Sequence, residues 1–230
     1  MLENLGQKLI ARVRIGPVDI AFDLVALAVA VGVTLVLVGL ALWLRRGIPK
    51  DSEAPPTRRA ALLAVALDMA ETQLVGGFVR PLARQLLPLV TTLFLYVLLC
   101  NWASILPIPY IISPTQDLNV TLGLAVMVYL LSHWYAVRHK GLGRHLRSYI
   151  EPYPFLLPMN LMGDLGRTLS HAFRLFGNIL GGGILTAIAT SFIPLIFPVF
   201  LQAFFGLFIG TIQALVFALL ASVYINIAVE

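Results

Sequence analysis

Charge is scarce in this sequence. Of 230 residues, 12% are Asp, Glu, Lys or Arg and 59% are hydrophobic, with a mean hydropathy of +0.91, a composition outside the range of soluble globular domains. It marks a polytopic membrane protein. Cysteine is nearly absent: Cys100 stands alone inside an apolar run, which excludes an intrachain disulfide framework and a multi-cysteine metal site and leaves packing as its role. No internal repeat and no soluble domain are visible, so a secondary transporter built from related halves is not favoured. The formal net charge of +5 does not point to nucleic acid. The basic residues cluster beside apolar spans, where they report topology and contact with anionic lipid.

What is present is a series of long apolar runs, read as a single integral membrane domain over 1–230. Its amino-terminal part, 1–85, holds a first span at about Ile20 to Leu44, a proline-bearing charged loop and an interfacial amphipathic helix over Arg58 to Gln85. The middle part, 86–154, holds spans at about Leu86 to Leu106 and Leu118 to Val137 and a basic loop; Asp117 is placed to cap the third span. The last part, 155–230, holds two apolar segments, about Phe155 to Phe192 and Leu195 to Val229. At 1.5 Å per residue each extends about 52 Å, too long to stand along the bilayer normal, so they form a long, oblique antiparallel hairpin. The fold class is therefore all-α, with about five membrane helices plus the interfacial helix. Lysines and arginines concentrate in 45–84 and 138–147 and are missing from 107–117. Positive-inside logic then places the N-terminus outside and Glu230 in the cytoplasm, with Lys8, Arg12 and Arg14 dissenting.

The hydrocarbon-length run around `LSHAFRLFGNILGGG` contains an arginine, Arg174, far from both helix ends. Such a charge costs from about 3 to over 10 kcal/mol and marks function. Asp164, Arg167, His171, Arg174 and Asn178 are spaced 3, 4, 3 and 4 residues apart and so share an arc of about 80°. On the following helix Gln202, Gly206, Gln213 and Tyr224 make a milder polar face. None of the chain's carboxylates lies at the depth of Arg174, Asp164 being about 15 Å away along the helix. Because arginine does not give up its proton, it acts as a fixed charge. Together these features suggest a gate acting on a carboxylate supplied by another chain. Gly177, Gly181, Gly182 and Gly183 follow the arginine, and Gly177/Gly181 and Gly206/Gly210 have the spacing of close-packing helices. Intramembrane hydrolysis is not favoured, because the Ser132/His133 and Ser170/His171 pairs are adjacent residues that should point apart.

The segment `FRLFGNILGG`, followed 39 residues after Arg174 by Gln213 in `TIQALVFALLASVYI`, resembles subunit a of F-type ATP synthases. `PLVTTLFLYVLLCNWASILP`, `PTQDLNVTLGLAV` and `PMNLMGDLGRTLS` resemble that family's second helix, third helix and lead into the arginine helix. The resemblance runs from about Leu86 to the C-terminus. It implies a non-catalytic ion-translocating stator subunit with no cofactor and no metal site, in a bacterial-type inner membrane. Its partners would be a rotating c-subunit ring, met through the ring's membrane carboxylates, and peripheral-stalk b subunits. Arg174 matches the family's essential arginine, which holds the ring carboxylate ionised and keeps two aqueous half-channels apart. Asn178 and Gln213 match polar positions near it, while Asp164 and Arg167 match an acidic and a basic half-channel position.

The sequence departs from the family pattern in three places. Gly183 stands where many members carry a carboxylate or histidine, and Gly206 stands at the position of its usual partner. The segment from Asn160 to Arg174 is about one helical turn shorter than in common members. Either water fills the space left by the glycines and the ion is H⁺, or the ion is Na⁺. His171 is open to a packing role or a place in the ion path, and Asp164 to pairing with Arg167 or half-channel service. Gln202 and Tyr224 are either hairpin contacts or half-channel groups. His133, His139 and His145 are expected to face lipid headgroups.

Overall fold

The computed structural model describes residues 10–15, 18–48, 57–78, 80–103, 105, 113–151, 153–192 and 197–229, with side chains from residue 24 onward except those of Arg80, Pro81 and Pro198. Expectations resting on Lys8, on the side chains of Arg12, Arg14, Asp19 and Asp23, on the loop 106–112, on the link 193–196 and on Glu230 lie outside the described residues.

Two short strands, β1 (Ile10–Ile15) and β2 (Val18–Asp23), pair antiparallel with Ile10 opposite Asp23. The first span therefore starts at Leu24 rather than Ile20, as helix α1 (Leu24–Arg45). Only Ala26 and Val33 are buried along α1, so its apolar surface is left for lipid. Thr57 caps α2 (Arg58–Ala70), accepting from the Ala60 amide at 3.2 Å while its hydroxyl donates to the Gly47 carbonyl. Helix α2 buries nothing, which suits an interfacial helix.

That helix is shorter than its polar pattern suggested. A π-type turn at Glu71–Val75 buries Leu74 and Val75, and α3 (Arg80–Ala103) takes up the residues expected to close the amphipathic segment. Burial explains the difference. Leu82, Ala83 and Leu86 pack with Ala218 and Ile225, so the stretch before Leu86 belongs to the membrane span.

Helix α4 (Leu118–Lys140) is capped by Asp117, whose carboxylate accepts from the Asn119 amide at 2.8 Å. Gly141, at φ 85°, turns the chain into α5 (Leu142–Ser148), a conformation that favours glycine. Helix α6 (Leu157–Phe192) runs unbroken for 36 residues, about 54 Å against a hydrocarbon core of about 30 Å. The last span comprises α7 (Phe197–Ala203), a π-type segment at Phe204–Ile209 and α8 (Gly210–Val229). Five helical stretches among the described residues are long and apolar enough to cross a membrane. The protein is an all-helical polytopic membrane protein in its spanning part, with the β1–β2 hairpin before it.

Helix α8 lies at the centre, against α3, α4 and α6. Leu93, Val97 and Leu98 of α3, Val128 of α4, Leu175 of α6 and Ala214, Phe217 and Ala221 of α8 form one buried cluster. A buried polar knot ties α3 to α8: Asn101 Nδ2 donates to the Gly210 carbonyl at 2.9 Å, and Asn101 Oδ1 accepts from the Thr115 hydroxyl at 2.8 Å. Cys100 is fully buried in the same region.

Candidate functional site

The helical stripe on α6 splits by environment. Arg174 is exposed, and it forms no ion pair or hydrogen bond among the described residues. Asn178, one turn on, donates to Gln213 Oε1 at 2.6 Å, joining α6 to the buried glutamine of α8. His171, one turn before the arginine, is buried against Phe217, with ring centroids 3.9 Å apart, and near Tyr224 at 5.7 Å. Both of its ring nitrogens lack a protein hydrogen-bond partner among the described residues.

Two open clefts flank this seal along α6. The first, about 380 Å³, lies towards the start of the helix and is lined by Asp164, Arg167, Thr168 and His171 of α6, Ser132, His133 and Lys140 of α4, His145 of α5, Tyr149, Glu151 and Tyr224. The second, about 280 Å³, lies towards its end and is lined by Gln116, Gly183, Thr186, Thr190, Gln202 and Gly206, with Ile179, Gly182, Ala187 and Phe205. Each has room for several waters at about 30 Å³ apiece. Between them α6 closes on α8 through Leu175, Ala214 and Phe217 and the Asn178–Gln213 bond, so the clefts share no lining residue.

The first cleft is rich in titratable groups. Asp164 pairs with Arg167 three residues on, and the Tyr149 hydroxyl donates to its other oxygen. His133 Nε2 lies 2.9 Å from the Tyr149 oxygen and 4.0 Å from Asp164. His145 packs edge-on against His133 at 5.2 Å. Burial, with the positive neighbours His133 and Lys140, holds His145 below the usual histidine range, opposed by Asp164; burial and the Asp164 carboxylate push Tyr149 up. By contrast, no Asp, Glu, His, Lys or Arg lines the second cleft among the described residues.

Several sequence expectations need correcting. His133 and His145 do not face headgroups: α5 folds back over the end of α4 and draws both into the first cleft. His139 is exposed and stacks on Tyr135 at 6.4 Å. Ser132 and His133 do meet, at 3.3 Å, but the serine hydroxyl donates to the Tyr129 carbonyl at 2.7 Å, so this is no nucleophile with its base. A Cβ on Gly177 or Gly181 would meet nothing within 4 Å. Close packing within the chain instead falls to Gly182, under the Phe205 ring, and to Gly210, against Asn101. Gly183 and Gly206 border the second cleft. Asp164 pairs with Arg167 and also lines the first cleft. Tyr149, Gln116, Thr186 and Thr190 were not singled out from sequence; the Tyr129/His133 spacing on one helix face was the one local signal.

A buried polar seam beside an exposed arginine at mid-helix, with a cleft on either side and five helical stretches able to cross a membrane among the described residues, marks a polytopic helical membrane protein. The chain belongs to the family described as ATP synthase A chain, whose family model matches residues 26–226. It is 39% identical over 173 residues to ATP synthase subunit a 1 of Crocosphaera subtropica, covering 75% of this chain and 74% of that one. It is 33% identical over 208 residues to ATP synthase subunit a of Acidothermus cellulolyticus, covering 88% and 75%. Against ATP synthase subunit a 1 of Chlorobium luteolum the identity is 37% over 194 residues, with 84% of each chain covered.

Proposed function

We propose that this chain is the ion-conducting stator subunit of a rotary ATP synthase, with the two clefts as half-channels and Arg174 as the gate between them. The observation that carries the reading is an arginine exposed on the open side of α6, level with the seal between the clefts and without an ion pair among the described residues. A ring of c subunits bearing membrane carboxylates supplies the missing countercharge. At about 4 Å and an effective dielectric of about 20, the attraction is worth about 4 kcal/mol and keeps the passing carboxylate ionised. Gly177 and Gly181 leave the surface beside Arg174 low, so a ring helix can approach closely. The chain itself makes and breaks no covalent bond; nucleotide chemistry belongs to other subunits, and b subunits brace the assembly. The basic stretch 138–147 puts the first cleft on the cytoplasmic side, with the N-terminus outside.

The ion is H⁺ on this reading, since the first cleft holds titratable side chains. The neutral amides and hydroxyls of the second cleft favour the Na⁺ alternative, and they also suit protons carried by water. The test is ATP-driven acidification of inverted vesicles holding the assembled enzyme, with and without sodium, with Arg174→Ala as control. Acidification that needs no sodium and disappears in the variant supports the proton stator. Sodium uptake without primary acidification transfers the reading to Na⁺, and transport unaffected by Arg174→Ala refutes the gate.

A further inference from the structure

The hydrogen bonds around His133 permit few proton placements. His133 Nδ1 lies 2.9 Å from the Tyr129 carbonyl, which can only accept, so Nδ1 carries a hydrogen. The Tyr149 hydroxyl donates its single proton to Asp164, so its oxygen must accept from His133 Nε2, 2.9 Å away. On this placement both ring nitrogens carry hydrogen and the ring faces the Asp164 carboxylate, 4.0 Å away. One other placement satisfies the same contacts: Asp164 protonated and donating to Tyr149, Tyr149 donating to Nε2, and His133 neutral with its hydrogen on Nδ1.

These two placements differ by a double proton hop. The N–H bond at His133 Nε2 breaks as an O–H bond forms on Tyr149, and the original Tyr149 O–H bond breaks as one forms on Asp164. Nothing else changes, and no other reactant is needed. We propose that His133 and Tyr149 are the outer stations of the ion path through the first cleft, relaying protons to and from Asp164 through the Tyr149 hydroxyl. The inference rests on the proton-stator reading above.

The surroundings suit such a relay. Arg167 faces Asp164 from α6, while Lys140 of α4, His145 of α5, Glu151 and Tyr224 line the same cleft, as does His171 at its inner end. His145, whose proton affinity is lowered by burial and its positive neighbours, packs edge-on against His133 at 5.2 Å. The Asn160 amide fixes the relay tyrosine by donating to the Tyr149 carbonyl at 2.9 Å. His171, buried with both nitrogens unpartnered by protein among the described residues, lies one turn from Arg174. The two half-channels thus differ in kind: side chains hand over protons in one, and neutral groups hold water in the other.

The test follows acidification of inverted vesicles, whose outer medium meets the first cleft, as a function of external pH for wild type, Tyr149→Phe, His133→Gln and Arg174→Ala. The relay predicts that Tyr149→Phe and His133→Gln each slow acidification by about tenfold or more and flatten its pH profile. Both variants keeping the wild-type rate and profile while Arg174→Ala is silent would overturn the relay and leave the stator reading standing. Sodium uptake without acidification would overturn the relay together with the proton reading while leaving Arg174 as the gate, and transport surviving Arg174→Ala would overturn the gate as well. Nitrogen NMR of the histidine-labelled full chain in lipid checks the wild type without relying on assembly of the transport variants. The resonance lost in His133→Gln should show a hydrogen on Nδ1, which both placements require, and a ring protonated at Nε2 alone would also overturn the relay.

Discussion

Gly182 and Gly177 look alike in sequence, both small residues shortly after Arg174, yet the structure assigns them opposite responses to the same substitution. A Cβ added at Gly182 would lie 2.8, 2.9 and 2.9 Å from Cγ, Cβ and Cδ1 of Phe205, where carbon atoms ordinarily sit about 3.5–4.0 Å apart. The overlap of about 0.7 Å involves Phe205 Cβ, next to the backbone, so rotating the ring alone does not relieve it. Overpacking of this kind costs about 1–3 kcal/mol. Against it stands the gain from replacing glycine by alanine inside a helix, about 0.5–1 kcal/mol. Gly182→Ala therefore comes out destabilising on balance, whereas Gly177→Ala, with nothing within 4 Å, keeps the helical gain intact. The assay is thermal unfolding of the purified chain in lipid nanodiscs, with the expected order Gly177→Ala above wild type above Gly182→Ala. In the assembled enzyme the same Gly177→Ala variant should slow ion transport, since its methyl group then faces the ring. Gly182→Ala matching or exceeding Gly177→Ala in stability would refute the packing argument.

Two further outcomes follow from the buried polar groups and the first cleft. Asn101→Leu removes a buried side-chain donor to the Gly210 carbonyl and one partner of the Thr115 hydroxyl, so it should cost about 1–3 kcal/mol. Trp102→Phe loses only the exposed bond to Thr211, 3.1 Å long, and should cost under about 1 kcal/mol; denaturant titration of both variants in lipid checks the contrast. His145 binds its proton less readily folded than unfolded, so the unfolded state takes up more protons as the pH falls, and stability is lost below the ordinary histidine range of about 6.5. Above that range both states are neutral and the contribution is flat. Hydrogen exchange of the α5 amides should therefore speed up in mildly acidic buffer, and His145→Gln should abolish that acid-side acceleration.

How much was legible beforehand depended on whether a feature is local. The number of spans, the 36-residue α6 and the Asp117 cap follow from apolar run length, helical rise and one side chain's reach to the next backbone amides. The face shared by Asp164, Arg167, His171, Arg174 and Asn178 is likewise a matter of 100° per residue. Missed features involve partners far apart in sequence. The end of the interfacial helix was placed too late because the polarity of Arg80, Arg84 and Gln85 concealed that Leu82 and Leu86 would meet Ile225. The histidines beside the basic loop looked like headgroup contacts because nothing local shows that the chain turns at Gly141 and brings His145 of α5 against His133.

By itself, then, the sequence determined a five-span helical membrane protein with one arginine at mid-helix. Backbone hydrogen bonding within each helix and the thickness of the hydrocarbon core leave little else possible for such runs. Only the tertiary structure decided that the polar stripe is divided, with His171 buried under Phe217, Arg174 left open and Asn178 engaged by Gln213 35 residues away. It also decided that His133, Tyr149 and Asp164 converge in one cleft while the described residues lining the other carry no charge. Which face of a helix meets another helix and which stays open is settled by packing among α3, α4, α6 and α8, a choice the helical period alone does not make.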